Sequence, residues 1–196
     1  NVGIGRSSVL KTSDAFVKSR ALRQRTGGNA FPVSLTLYSS INYRGARFTD
    51  GLDHYTSDRL SYHHQAIFSR KMNENLSLIV APSIVHWNLV PGPGDPNDTY
   101  HLLLGGRHKL TKRIALTGEY AFSSNRRYGS GATEERFHNP LSVGVDIETG
   151  GHVFQFHLSN TRALSDPLWM ARNPYSAANG SLFLGFNISR VFTVKQ

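Results

Sequence analysis

The chain has 196 residues, a length that fits one domain, so we predict a single domain over residues 1–196. It contains no cysteine, which excludes disulfide bonds and thiolate metal sites, and no run of about 18 apolar residues that could form a transmembrane helix. The net charge of +9 at pH 7 suits partners that carry negative charge, such as nucleic acids or anionic membranes.

Apolar and polar residues alternate with a period of two along most of the chain, as in β-strands that have one apolar face. The first alternating segment begins at Asn1 instead of a methionine, so we expect further protein upstream of it. In chain order the alternating segments are 2–5, 14–24, 33–42, 60–69, 76–84, 100–105, 114–121, 141–148, 153–159 and 181–194. They predict about ten strands of about 10 residues, long enough to cross a bilayer at a tilt.

The clearest of these segments form a β-hairpin. Apolar residues alternate with polar or small ones over 141–148 and again over 153–159. Between the two runs, Thr149-Gly150 supplies a two-residue turn with glycine where a positive φ is needed. With this turn Asp146 opposes Val153, and the hairpin has one apolar and one polar face.

Short and long connections alternate along the chain. Short turns are predicted at 26–29, 72–73, 110–112 and 149–150, and long loops rich in Gly, Pro, Asp and Asn at 44–57, 90–98, 123–138 and 161–180. A brief turn at 11–12 is the only break, since a long loop is due there. In the last long loop, Ser165 as cap and Pro167 in the first turn predict a short helix.

Short turns at one end and long loops at the other are typical of bacterial outer-membrane barrels. We therefore predict an all-β, antiparallel, up-and-down transmembrane β-barrel in the bacterial outer membrane, with the apolar stripe facing lipid and the long loops outside the cell. A soluble β-sandwich or ligand-binding barrel is the alternative, because its strands also alternate. The predicted aromatic girdles consist of Tyr62, Phe68, Tyr100, Tyr120, Phe122 and Phe192.

Three stretches carry a resemblance to known proteins: Gly-Ile-Gly-Arg-Ser-Ser at 3–8, Leu-Arg-Gln at 22–24, and the segment 147–155 with its Glu-Thr-Gly-Gly-His sequence. Together they resemble an uncharacterised family of β-barrel outer-membrane proteins of Bacteroidota. The resemblance spans most of the chain, and Glu-Thr-Gly-Gly-His is its most specific part. It implies further strands upstream, so that this chain would be the C-terminal part of a barrel of about twelve strands. It implies no activity and no catalytic residue.

Seven polar residues on the predicted inner face are candidates to line the lumen: His63, Gln65, His101, Arg107, Glu119, Asp146 and His157. We predict that they form a hydrogen-bonded network that fills a narrow barrel, with no metal or other cofactor. A metal or haem site and a proton-linked constriction are the alternatives. A turn at 110–112 would place Leu103 opposite Glu119. The alternation places three further histidines on the lipid-facing side of their strands, and we expect them at the membrane interface: His64, His86 and His152.

Charged residues also occur in or beside the long loops. The acidic ones could bind calcium, but their spacing matches no EF-hand and we expect solvated loops: Asp50, Asp53, Asp58, Asp95 and Asp98. The arginines at the loop ends of strands could pair with lipopolysaccharide phosphates: Arg44, Arg47, Arg126 and Arg127. No aromatic stacking platform with interleaved lysines and arginines is present, so nucleic acid is not a predicted partner.

Enzyme motifs are missing from the sequence. It has no Gly-x-Ser-x-Gly, no phosphate-binding glycine loop and no His-Glu-x-x-His, so we do not predict an enzyme. We predict a barrel with a narrow or plugged polar lumen that acts as an accessory or anchor subunit of an outer-membrane complex. Its partners would be the lipid bilayer, lipopolysaccharide and other outer-membrane proteins. The alternatives are a small diffusion pore or transporter for small polar solutes and, third, a haem- or metal-linked barrel.

Overall fold

The structure is a computed structural model that describes residues 1–25, 27, 30–124, 126–129 and 135–190. Ten strands form one antiparallel sheet. They are β1 (Val2–Arg6), β2 (Thr12–Leu22), β3 (Ser34–Arg44), β4 (Leu60–Lys71), β5 (Leu76–Trp87), β6 (Asp98–Lys109), β7 (Ile114–Ser123), β10 (Leu141–Thr149), β11 (His152–Ser159) and β12 (Phe183–Arg190). Two short strands, β8 (Arg127–Tyr128) and β9 (Glu135–Arg136), pair with each other in the loop between β7 and β10.

The ten strands follow one another in the sheet in chain order, so the predicted up-and-down arrangement is confirmed. The described part of the sheet is not closed, and β1 and β12 form its two edges. The predicted last strand ran over 181–194. In the structure it begins at Phe183, and residues 191–194, with Phe192 of the predicted girdle, lie outside the described residues. So do parts of the predicted connections 26–29 and 123–138.

The two faces of the sheet differ in chemistry. The outer face carries exposed apolar side chains, among them Leu37, Val80, Leu104, Phe156 and Ile188. The inner face carries buried polar side chains, among them Ser40, Asn42, Ser61, Thr99 and Ser159. A soluble β-protein would bury its apolar face. The observed arrangement is the reverse, as expected for a sheet whose apolar face meets lipid.

Short turns and long loops lie at opposite ends of the sheet for most connections, as predicted. Two connections are exceptions: only residues 7–11 join β1 to β2 at the long-loop end, as expected, whereas residues 23–33 join β2 to β3 at the short-turn end. Two of the short turns, at 72–75 and 110–113, are organised by a side chain that accepts backbone hydrogen bonds. Asn73 Oδ1 accepts from the amides of Asn75 and Leu76, and Thr111 Oγ1 accepts from those of Arg113 and Ile114. Such local bonds are why Asn and Thr favour turns.

The predicted register of the β10–β11 hairpin is wrong by two residues. The turn consists of Gly150 and Gly151, which both have positive φ, at 53° and 147°. Thr149 therefore pairs with His152, and Asp146 pairs with Gln155 instead of Val153. Because the shift is even, every side chain keeps its predicted face.

A second register prediction is also wrong. Glu119 lies opposite Gly105, and Leu103 lies opposite Ala121. The cause is a turn displaced by one residue along the chain. The Leu110 amide donates to the Ile114 carbonyl, so the three turn residues are 111–113 instead of 110–112, and the pairing shifts by two residues.

The long loop between β11 and β12 contains the predicted short helix, α1 (Asp166–Ala171). Its backbone begins as expected, because the Leu168 and Trp169 amides donate to the Ser165 carbonyl. The Ser165 hydroxyl, however, makes no capping bond. The described loops also contain one-turn 3-10 helices at Val9–Lys11, Ser57–Arg59 and Ala177–Asn179. Within the described ranges, no helix is both long and apolar enough to span a bilayer.

Candidate functional site

Helix α1 lies against the inner face of the sheet. Its Met170 packs against Ala81, Leu103 and Ala121 on the three central strands β5, β6 and β7. Two small alanines among them leave room for the helix to approach the sheet. The loop between β11 and β12 is therefore folded back over the interior.

A second apolar cluster holds the other side of the helix. Leu168 and Ala171 pack against Val85 and Trp87 near the long-loop end of β5. Every buried apolar residue in these two clusters lies on α1 or on β5, β6 or β7. The described core is thus the contact between the helix and the central strands, because the remaining apolar side chains mostly point outward.

Polar contacts also attach α1 to the sheet, through Asp166. The Tyr38 hydroxyl on β3 donates to Asp166 Oδ2 at 2.5 Å, and the Trp169 indole N–H donates to Oδ1 at 3.2 Å. His63 Nδ1 on β4 lies 3.4 Å from Oδ2. Burial raises the pKa of the Asp166 carboxyl, but the nearby His63 ring and the hydrogen bond from Tyr38 outweigh it and leave the pKa below its ordinary value. Asp166 is therefore held as an anion.

Three of the seven predicted lumen-lining residues lie close to the contacts of Asp166 with Tyr38 and His63. Gln65 pairs with Ser83, and Ser83 pairs with His101, so they form one row across β4, β5 and β6. His63 lies one inner-face position away from Gln65 on β4, and it is almost fully buried. His101 Nε2 lies 2.9 Å from Thr99 Oγ1. These residues form part of the polar surface beneath α1.

Arg107 and Asp146 form the charge pair of the inner face. Arg107 Nε on β6 donates to Asp146 Oδ2 on β10 at 2.9 Å, across the intervening strand β7. Gln155 donates to Asp146 Oδ1 at 3.0 Å and accepts from Asn187 at 2.8 Å. A polar network thus crosses from β6 to β12 near the short-turn end.

Glu119 and His157 line a pocket of about 490 Å³ beside α1, together with Trp169 and Arg162. The imidazole of His157 lies over Gly185 of the edge strand β12, in space that a β-carbon at position 185 would occupy. All seven predicted residues therefore lie on the inner face. Whether that face encloses a lumen stays a prediction.

The geometry does not assemble the seven residues into a metal site. Among the described residues there is no group of three or more His, Asp or Glu side chains arranged to hold a metal ion. The outer-face histidines form local contacts instead: His64 Nδ1 lies 2.9 Å from Ser39 Oγ, and His86 Nδ1 lies 2.7 Å from Asp98 Oδ1. Loop carboxylates accept backbone hydrogen bonds, as Asp95 does from Gly92 and Gly129.

The sequence did not predict the residues that hold α1 against the sheet. Ser165 and Pro167 predicted the helix, but nothing in the local pattern connects Asp166 with Tyr38, 128 residues away. A partial signal was available for Tyr38, because it shares the parity of Thr36 and Ser40 and so lies on the inner face. The partner of its hydroxyl could not be read from the sequence.

Comparison with known proteins gives one match. No curated protein and no solved structure matches the chain. A family model described as a membrane-bound β-barrel domain of unknown function, DUF5777, matches residues 1–192. An antiparallel meander with an apolar outer face and a polar inner face is what such a domain requires. The chain therefore belongs to the family of membrane-bound β-barrel domains DUF5777.

Proposed function

We propose that this chain is an outer-membrane β-barrel with a plugged interior that serves as an anchor or accessory subunit of an outer-membrane complex, without enzymatic activity. The observation that carries the proposal is the double attachment of α1 to the inner face. Apolar contacts of Leu168 and Met170 and the hydrogen bond from Tyr38 to Asp166 all hold the helix against the central strands. A plug fixed in this way leaves little room for solutes to pass.

Closure of the sheet is part of this proposal. The edge strands carry exposed apolar residues on their outer face, such as Ile4 at 89% and Leu184 at 74% exposure. In lipid, the backbone groups of both edges need partners, which a closed barrel supplies. Because neighbouring strands alternate in direction, antiparallel closure takes an even number of strands. The ten described strands or a barrel of about twelve both satisfy this condition.

The loop pattern supports the proposed location in the outer membrane. Single-chain barrels with short turns at one end and long loops at the other belong to bacterial outer membranes, with the long loops outside. Since the chain has no cysteine, a lone Asp53→Cys in the exposed loop after β3 can be labelled without background. We expect a membrane-impermeant maleimide to label it on intact cells. Labelling that requires rupture of the outer membrane would contradict this orientation.

Planar-bilayer recording tests the plug. We expect the purified wild-type protein to be electrically silent and a variant with residues 166–171 replaced by a Gly-Ser linker of equal length to conduct. The matched control replaces the turn 72–75, at the short-turn end of the sheet, by a Gly-Ser linker of the same length and should stay silent. Defined outer-membrane proteins should co-purify with the wild type.

A second candidate is a small pore for polar solutes. The pocket of about 490 Å³ beside α1 favours it, because Glu119 and His157 give that space a polar wall. Stable conductance from the wild-type protein would support this candidate and overturn the anchor role.

A further inference from the structure

Three guanidinium groups converge at the long-loop end of the inner face. Arg44 ends β3, Arg59 precedes β4 and Arg172 follows α1, and all three line a pocket of about 320 Å³. Among the described residues, none of the three has a carboxylate oxygen within 4 Å, since the ion pairs found there involve other side chains. Three like charges that make no ion pair among the described residues favour an anion between them.

The same pocket contains unused hydrogen-bond donors. Four residues that line it each have a buried polar atom without a hydrogen-bond partner in the described part of the protein: Arg44 Nε, Arg172 Nε, Trp87 Nε1 and Ser165 Oγ. Three of these groups can only donate, and the Ser165 hydroxyl can donate as well. Buried donors without acceptors are costly and uncommon. A ligand rich in acceptor oxygens would satisfy several of them at once.

Aromatic side chains hold two of these arginines in place. The Arg172 guanidinium lies 3.8 Å from the centre of the Trp87 ring, and that of Arg44 lies 4.2 Å from the centre of the Phe48 ring. Stacking leaves the edges of a guanidinium open to carboxylate or phosphate oxygens. Arg44 and Arg172 each donate one long hydrogen bond to a backbone carbonyl, at 3.5 and 3.4 Å, and their Nε–H groups have no acceptor in the described part of the protein. Burial lowers the pKa of Arg172 below its ordinary value, so this cation lies in a poorly solvated place where an anion would be stabilising.

The carboxylates at the pocket rim are already engaged. Asp50 and Asp58 lie 2.8 and 3.6 Å from opposite ring nitrogens of His54, and each also accepts a backbone hydrogen bond. Glu135 also lines the pocket, but it is exposed and no ion pair joins it to an arginine of the described chain within 4 Å. These groups therefore leave the arginines available to a ligand.

From these observations we infer that the pocket binds a small soluble anion through phosphate or carboxylate oxygens. The pocket is large enough for a small ligand. A soluble anion is favoured over a lipid headgroup because Ser61 and Trp87 in its wall lie on the inner face, away from lipid. Arg44 shares that face, so the sequence-based suggestion that it pairs with lipopolysaccharide is replaced by this site. The site goes beyond the proposed anchor role and does not depend on it.

Titration calorimetry of the detergent-purified protein with pyrophosphate tests the inference. We expect one anion per chain. Arg172→Gln removes a guanidinium, and Trp87→Phe removes the indole N–H and part of the ring stacked on Arg172. Each should weaken binding about tenfold. Arg113→Gln removes the same charge from the turn after β6 and should leave the affinity unchanged, whereas Glu135→Gln should increase it. If Arg172→Gln fails to fold, Trp87→Phe and Ser165→Ala carry the comparison.

Three results would overturn the inference. The first is no binding by the wild type at millimolar pyrophosphate in low salt. The second is an equal loss in Arg113→Gln, which would indicate only the overall positive charge. The third comes from nanodiscs: binding to phosphate groups of lipopolysaccharide without binding to free pyrophosphate would identify a lipid headgroup as the ligand.

Discussion

The Tyr38 hydroxyl donates a hydrogen bond to Asp166 across 128 residues of chain and thereby joins β3 to helix α1. We expect Tyr38→Phe to lower the free energy of unfolding by about 1–2 kcal/mol, because a half-buried carboxylate loses a donor. Urea unfolding followed by tryptophan fluorescence measures the change, and Trp169 beside Asp166 is a local reporter. Tyr43→Phe on the same strand, where the ring is exposed on the outer face, is the control and should change stability little. Equal effects of the two substitutions would contradict a stabilising role of the Tyr38–Asp166 hydrogen bond.

The charge of Asp166 predicts a dependence of stability on pH. Its pKa in the folded protein is below the ordinary value, so it contributes stability that is present above the pKa of the unfolded chain. This stability is lost as the pH falls through the folded pKa. We expect Asp166→Asn to be less stable than the wild type near neutral pH and to approach it in acid. Unfolding free energies measured between pH 7 and strong acid test this, and a constant difference over that range would contradict it.

The Arg107–Asp146 pair predicts energetic coupling between β6 and β10. Asp146 is buried while Arg107 is partly exposed, so solvent screens part of the attraction. We expect Arg107→Gln and Asp146→Asn each to cost about 1–2 kcal/mol of stability and the double variant to cost clearly less than their sum. A double-mutant cycle from urea unfolding measures the coupling. Strict additivity would show that the two residues do not act as a pair.

Gly144 lies where the backbone of β11 approaches closely. A β-carbon at this position would lie 2.7 Å from the Phe156 carbonyl oxygen, which belongs to a hydrogen-bonded strand and has little freedom to move. We expect Gly144→Ala to lower stability by about 1–3 kcal/mol through overpacking. Gly118→Ala is the control, because its nearest neighbour would be at an ordinary 3.9 Å. Thermal or urea unfolding measures whether Gly144→Ala loses more stability than Gly118→Ala.

The outer face predicts a cost for charge that depends on depth in the membrane. Leu104 is exposed in the interior of β6, and His108 lies on the same face near the short-turn end. In a bilayer, Leu104→Arg should cost about 2–4 kcal/mol and His108→Arg about 1 kcal/mol or less. Reversible folding into lipid vesicles measures both. Similar small costs at both positions would mean that this face does not meet the hydrocarbon core.

Alternation of apolar and polar residues was sufficient to predict the strands, their order and their two faces, because a strand's side-chain period of two is a local property. The same holds for most of the alternating short turns and long loops, but not for the connection 23–33 between β2 and β3. The register between neighbouring strands was harder to predict from the sequence. The Gly150-Gly151 turn moved the β10–β11 pairing by two residues, since Thr149 and Gly150 were an equally reasonable turn by composition.

What the tertiary structure alone decided is how the long loops and the inner face meet. The sequence placed His63, His101 and Asp146 on the polar face, but Asp166, Tyr38 and Arg172 acquire their roles only when α1 folds back onto β5, β6 and β7. Such contacts join residues that are far apart in the chain, and each of these side chains has many possible partners. Their selection depends on the space left by Ala81 and Ala121 and on which buried donors and acceptors remain to be paired, and neither is encoded in a local pattern.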